Sequence, residues 1–205
     1  MAYWTKEEIL EFALQNLKDI NTTVDHFGDS LLHSAIGLDD LELVKNLIRL
    51  GADPNNKGQN GETPIYVAVR RKSKEMVDTL ITLGAKVKVG NDRSETPIAV
   101  AEYLGYDSSH ELYNLLTNKI QEELKEVSVQ YIEIANQYIV EDKYEEAISH
   151  YGYAIQYCYN SDNAFYLRGR VHLKMGNLEL AKADFISAAK YGNEKAKQYL
   201  KENCS

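Results

Sequence analysis

Apolar positions in the first half of the chain come in short runs at helical spacing, separated by polar turns. In the stretch from Asp39 to Leu50 the apolar residues fall three and four apart, and acidic residues occupy the first turn. That pattern predicts an amphipathic helix whose dipole the early carboxylates favour. Thr63-Pro64 and Thr96-Pro97 each place a hydroxyl at an N-cap and a proline at the first helical position, where no N–H is needed. Each predicts the start of a short helix. Gly51 and Gly84 follow apolar runs where a left-handed residue ends a helix. Thr5-Lys6-Glu7-Glu8 is a capping-box pattern opening a helix over Ile9 to Leu17, and Asn193 to Leu200 reads as a closing helix. Between Gly105 and Gly152 there is neither Gly nor Pro, and Leu112, Leu115, Leu116, Ile120, Leu124 and Val127 keep helical spacing. One long helix is the expectation there; a break near Asn118 or at Val127-Ser128-Val129 is the alternative.

Two internal periods organise these elements. Gly28, Gly61 and Ser94 are 33 residues apart, as are Ser30, Thr63 and Thr96, and again Ala35, Ala68 and Ala101. In the second half the step is 34, linking Ala147 to Ala181, Tyr151 to Phe185, Ala154 to Ala188, Ala135 to Gly169 and Tyr131 to Phe165. Small residues recur where helices touch closely, and rings recur where a gap must be filled. Such periods are the signature of stacked helical repeats.

The strings Gly61-Glu62-Thr63-Pro64-Ile65-Tyr66-Val67-Ala68 and Gly51-Ala52-Asp53-Pro54-Asn55 resemble the ankyrin repeat, over about residues 22–117. The family's turn histidine is present as His33, whereas Tyr66 and Ala99 occupy the equivalent positions, which predicts an inter-repeat hydrogen bond lost twice. The 34-residue half resembles the tetratricopeptide repeat in two copies, near 128–161 and 162–195, with Tyr159 and Asn193 where that family closes on proline. The fold expected is all-α, a helical repeat solenoid of ankyrin repeats followed by tetratricopeptide repeats. Residues 1–21 form an N-terminal capping helix, 22–117 three ankyrin repeats, 118–127 a helical junction, and 128–205 two tetratricopeptide repeats with a C-terminal cap.

Charge narrows the partners. The chain has 205 residues and a formal charge of −8, a field that repels nucleic acids and anionic membranes. Residues 1–8 lack a signal-peptide core and no apolar stretch approaches the roughly 18 residues of a membrane span. An intracellular, cytoplasmic protein is expected. Cys158 and Cys204 have no paired spacing, and His26, His33, His110, His150 and His172 are scattered without metal-ligand spacing. No nucleophile elbow, Walker loop, HExxH or calcium loop is present. No catalytic residue, cofactor or metal is expected; His33 reads as a turn residue and His172 as a core residue.

Function is then sought on the surface. The ankyrin resemblance implies a concave face built from hairpin tips and first helices. At the tips it points to Lys57, Gln59, Asn60, Lys88, Asn91 and Arg93, and on the helices to Ile36, Val69, Arg70, Arg71, Glu102 and Tyr103. Tyr66 is a further contact candidate. Five cations against Glu102 predict a local charge reversal suited to an anionic partner surface; the alternative is that Arg70-Arg71-Lys72 are solvated charges at a helix end. Reversing Arg70 and Arg71 together is expected to weaken binding without altering stability. The tetratricopeptide resemblance implies a groove lined by first helices, with Asn136, Tyr166 and Arg170 as candidate contacts beside Ile132, Ile139, Leu173 and Lys174. Of that family's carboxylate-gripping set only Asn136 matches. The function expected is a non-catalytic protein-protein interaction scaffold. A dedicated inhibitor, such as an immunity protein blocking a toxin's active site, is the alternative.

Overall fold

The computed structural model describes residues 4–22, 28–158 and 161–203, so His26, Tyr159 and Cys204 lie outside the described residues. Eleven α-helices are described, α1 Lys6–Gln15, α2 Leu31–Gly37, α3 Leu41–Arg49, α4 Pro64–Arg70, α5 Lys74–Thr82, α6 Pro97–Tyr103, α7 Glu111–Val140, α8 Tyr144–Tyr157, α9 Asp162–Lys174, α10 Leu178–Lys190 and α11 Glu194–Asn203. No strand occurs among the described residues. The chain forms two compact units, residues 1–120 and 121–205, and α7 contributes to both.

In the first unit the 33-residue landmarks acquire physical roles. Thr5 and Glu8 close a reciprocal capping box at α1. Thr63 and Thr96 accept from the N–H groups of Tyr66 and Ala99, with Pro64 and Pro97 opening α4 and α6. Ala35, Ala68 and Ala101 are all 0% exposed, one on each first helix. Here α4 packs on α2, α5 and α6, and an alanine methyl is what fits. Gly28, Gly61 and Ser94 share a left-handed backbone, with φ of 91°, 71° and 62°. At Gly61 an added Cβ would lie 2.1 Å from Asp92 Oδ1, so both conformation and space demand glycine. Successive loops are tied by a bond from the Asp92 N–H to the Asn60 carbonyl at 2.9 Å.

Two asparagines add ties that the 33-residue register does not reveal. The Asn21 side chain donates to the Gly51 carbonyl and accepts from the Asp53 N–H, while Asn55 does the same with the Gly84 carbonyl and the Lys86 N–H. Each amide satisfies one donor and one acceptor of the loop that ends the following helix pair, where bare backbone groups would need partners.

The second unit contains two helical hairpins. The helices α8 and α10 start 34 residues apart, at Tyr144 and Leu178, and the turns before them pass through left-handed Asp142 and Gly176. Tyr151 and Phe185 are each 1% exposed and fill equivalent positions. Gly169 of α9 lets α10 approach, since a Cβ there would stand 3.0 Å from a Phe185 ring carbon. Ser128 Oγ donates to the Ala154 carbonyl at 2.9 Å, tying α7 to α8.

A buried polar cluster lies between α9 and α10. Arg168 holds Asp184 through two bonds of 2.9 and 2.7 Å, and His172 is buried beside them with an unpartnered Nδ1. Burial is the main cause holding the His172 pKa below its ordinary 6.5; the Asp184 carboxylate opposes that shift and Arg168 adds to it. A histidine with a depressed folded pKa leaves the unfolded chain holding more protons in the acid range. Its contribution is intact above pH 6.5 and is lost as pH falls through 6.5 towards the folded value. Thermal melts are therefore expected to show a midpoint that declines below pH 6.5, and His172→Phe should flatten that part of the curve. Parallel curves for the two proteins would remove His172 as the cause.

Candidate functional site

The predicted ankyrin-face residues divide into three groups. Val69 is 0% and Ile36 1% exposed; both side chains belong to the core and are withdrawn as contacts. The reason is local: each lies one position after the buried alanine of its helix and still faces the packed side. Asn91 and Tyr66 are also buried. The Asn91 side-chain Oδ1 accepts from the N–H groups of Arg93 and Glu95, and its side-chain amide donates to Tyr66 and Glu95. Tyr66 donates to Glu95 at 3.1 Å. They form the turn instead of presenting it.

That network corrects the expected loss of hydrogen bonds. His33 contacts the Glu62 carbonyl oxygen through Nε2 at 3.0 Å, and since a carbonyl only accepts, Nε2 carries the proton and Nδ1 accepts from Ser30 Oγ at 2.8 Å. One repeat later the Tyr66 hydroxyl reaches the Glu95 carboxylate in place of the backbone, so the tie is replaced. Only at exposed Ala99 does the side chain offer nothing.

The second group is charged but already engaged. Arg70 donates to Glu62 at 2.8 Å, and the Glu62 side chain is only 7% exposed. Burial raises the Glu62 pKa, Arg70 and Arg93 counter that shift, and Asp29 reinforces it. Arg93 pairs with Glu95 at 3.5 Å, and Lys57 donates to the Gly90 carbonyl at 3.1 Å. The expected charge reversal is thus reduced by carboxylates at residues 29, 62 and 95, themselves 33 residues apart. Arg70 is a counter-ion for a buried acid, so reversing it would damage folding as well as any interface. The expectation that the Arg70/Arg71 pair can be reversed without a stability cost is corrected accordingly.

The third group is available. Arg71 and Lys88 are exposed and have no carboxylate partner among the described residues. Gln59 and Asn60 are exposed, although the Gln59 N–H is held by Asp29. Tyr103, at the end of α6, is 91% exposed. A large aromatic side chain so completely in water is the kind of group that anchors an interface.

In the second unit the predicted groove is concave. A cavity of about 460 Å³ is lined by Asn136, Ile139, Tyr151, Leu167, Arg170, Val171, Leu173 and Lys174. The Asn136 side-chain Oδ1 accepts from the Tyr151 hydroxyl at 2.6 Å, which leaves the side-chain N–H groups for a ligand. Arg170 stacks over Tyr166 at 5.9 Å, holding the guanidinium at the rim. Tyr166 supports the groove from outside its lining. Ile132, 9% exposed, belongs to the core and not to the lining. Lys174 stands one turn beyond Arg170 on α9, with its Nζ 4.6 Å from the Tyr144 ring and 3.9 Å from Asp142.

No group of three or more His, Cys, Asp or Glu among the described residues could hold a metal. Among the described residues no helix is long and apolar enough to cross a membrane. His110 stacks on Tyr106 at 3.7 Å and accepts from the Leu112 N–H, a helix-capping role.

A family profile described as ankyrin repeats (3 copies) matches residues 1–91 and 32–123, together more than half of the 205 residues. The chain belongs to the ankyrin-repeat family. Two curated relatives match part of this ankyrin-repeat protein. The Nuclear factor NF-kappa-B p110 subunit of Drosophila melanogaster is 37% identical over 76 residues, 33% of this chain and 8% of that protein. Ankyrin repeat protein 14 of Vaccinia virus (strain Western Reserve) is 38% identical over 60 residues, 29% of this chain and 25% of that protein. The chain thus spans a quarter or less of these relatives' lengths. Ankyrin repeats generally mediate protein-protein interaction, and the exposed residues of the first unit are read in that light.

Proposed function

We propose that this ankyrin-repeat protein is a non-catalytic scaffold that binds a partner protein through the exposed residues of its repeats, chiefly Arg71, Lys88 and Tyr103. The observation that carries this reading is Tyr103, 91% exposed at the end of a first helix, in a unit where carboxylates engage Arg70 and Arg93 and leave Arg71 and Lys88 to the solvent. A preformed surface of this kind binds with little ordering cost, so affinity comes from complementarity. The partner surface it fits is acidic with an aromatic-accepting pocket.

The second unit is proposed as two tetratricopeptide repeats with a C-terminal capping helix over residues 128–205, joined to ankyrin repeats at 22–117 through a helical junction at 118–127. Support comes from the 34-residue recurrence of helix starts and turns. Its groove, with Arg170, Lys174 and Asn136 above an apolar floor, suits an anionic, partly apolar peptide. Two surfaces permit either an adaptor joining two partners or an inhibitor gripping one, including an immunity protein acting in the cytoplasm.

Arg71→Glu with Lys88→Glu tests the primary surface. Both side chains are exposed, so the thermal midpoint should stay within what about 0.5 kcal/mol produces. Affinity for a partner captured from native lysate should fall at least about tenfold, the scale of 1.4 kcal/mol. Arg49→Glu, on an outer helix, serves as the control. Retained binding would remove the ankyrin face, and loss only with Arg170→Glu/Lys174→Glu would move the site to the groove.

A further inference from the structure

We infer that the α7/α8 hairpin carries a separate docking surface, a cluster of tyrosine rings bounded by glutamates, that receives an arginine-bearing segment of a partner protein. The stripe on α8 runs Glu146, His150, Tyr153, Tyr157 at steps of four, three and four, and the stripe on α7 runs Tyr131, Ile134, Tyr138 at steps of three and four, with Glu141 just past the helix end. These spacings put each set on one helix face. The rings meet: Tyr131 stacks on Tyr157 at 5.4 Å and 8°, lies 5.4 Å from Tyr153 and 6.1 Å from His150, and Tyr138 lies 5.0 Å from His150. Tyr131 and Tyr138 rest on the core of the unit, and the outer edge of the cluster faces water. Tyr153 is 48%, Tyr157 39% and Ile134 37% exposed.

Internal repetition shows what this face lacks. Shifted by 34 residues, Tyr131 and Tyr157 become Phe165 and Tyr191, which stack at 5.9 Å and 21°. Ile134 becomes Arg168 and His150 becomes Asp184. In that second hairpin the guanidinium lies 5.8 Å from the Phe165 ring and grips Asp184, and α8 packs over it at Gly152, whose Cβ would stand 3.7 Å from Arg168 Nη1. Ring, cation, acid and a covering helix are all supplied from within. The first hairpin has rings and acids, but neither that arginine nor a covering helix within its unit.

Charge selects the occupant. Residues 121–157 hold eight Asp or Glu against two Lys, a net of −6 within a chain of −8. A second copy would bring the same charge and be repelled, whereas a cationic segment is attracted and steered. One cation already uses the site: Lys143 Nζ lies 5.8 Å from the Tyr138 ring and pairs with Glu141 at 2.6 Å. Arginine suits the remaining rings better than lysine, because its planar guanidinium stacks on a ring while its N–H groups reach carboxylates.

The test uses the full chain and fluorescein-labelled, end-blocked alanine–arginine, alanine–lysine and alanine–glutamate peptides of about 15 residues. By anisotropy the arginine peptide should bind, the lysine peptide more weakly and the glutamate peptide not at all. Tyr153→Ser/Tyr157→Ser leaves every charge in place and should weaken arginine-peptide binding about tenfold, whereas Tyr153→Phe/Tyr157→Phe should retain it. Equal affinity of the wild type and the serine pair, or no binding, overturns the inference, because only the diffuse field of the chain would be at work. Amide chemical shifts of the labelled wild type offer a readout independent of how the variants fold. Arginine-peptide shifts concentrated on Tyr131, Tyr138, His150, Tyr153 and Tyr157 support the site, and shifts elsewhere overturn it. Self-association of the wild type that the serine pair abolishes would assign the face to a second copy and likewise overturn it.

Discussion

Ala68→Asp is expected to unfold the first unit. Ala68 is 0% exposed on α4, the helix that packs against α2, α5 and α6 at once. An aspartate there would bury a carboxylate with no cation, and an uncompensated buried charge costs roughly 3–5 kcal/mol. That is a large share of the stability of a small unit, commonly about 5–15 kcal/mol, and enough to unfold one near the lower end. Neighbours cannot relax to admit water, because Ala35 and Ala101, also 0% exposed, hold equivalent positions on adjacent helices. Trp4, the chain's one tryptophan, lies in this unit with its ring 5.2 Å from Phe12, so its emission reports the transition locally. The variant should show red-shifted emission at temperatures where the wild type is folded. Ala68→Ser, which keeps a small neutral side chain, should lose only about 1–2 kcal/mol. Native emission from the aspartate variant would show that Ala68 does not sit at a helix contact.

This prediction was accessible from sequence because alanine at a 33-residue step has one economical explanation, close helix approach. The N-caps Thr63 and Thr96, the prolines after them and the glycine at 61 were legible for the same reason: each residue type answers a backbone demand that other residues meet poorly. Ser94 shows the limit of that logic, since a serine there adopts the same left-handed φ of 62° and is held by its loop. The Asn21 and Asn55 ties were missed because their amides act across repeats and out of the 33-residue register.

The candidate surfaces were less legible than the fold. Sequence identifies a cation but not its partner, so Arg70 and Arg93 were read as outward charges although carboxylates at 62 and 95 engage them. Val69 was read as exposed because a helix of seven residues leaves its face ambiguous by one position, and α4 turns it inward. The reading of Asn136 and Arg170 came nearer: both line the same cavity, since α9 places Arg170 and Lys174 one turn apart. The tyrosine cluster was missed because Tyr131 and Tyr138 do pack on the core of the second unit, as recurring rings should, and the exposure of Tyr153 and Tyr157 beside them cannot be read from spacing.

Asp184→Ala should be the most damaging single change in the second unit. Asp184 accepts two bonds from Arg168, whose side chain is 26% exposed, while that of Asp184 is 7% exposed. Removing the carboxylate leaves a largely buried guanidinium against the Phe165 ring and α8 with no counter-charge, a loss of roughly 3–5 kcal/mol. Arg168→Met/Asp184→Leu removes both charges and fills the space with apolar atoms, so it should recover most of that loss, because burying an ion pair is itself costly. His172 supplies a second readout. Asp184 is the group that opposes the burial-driven depression of its pKa, so in Asp184→Ala that pKa should fall further. The acid-side loss of stability below pH 6.5 should then be larger than in the wild type, in the direction set by a deeper depression. Circular dichroism melts at pH 7.5 and 5.5 on the three proteins separate the effects. A single variant as stable as the wild type would show that Arg168 needs no counter-ion. A double variant no better than the single would show that the site depends on the geometry of the bidentate pair and not on neutralising Arg168.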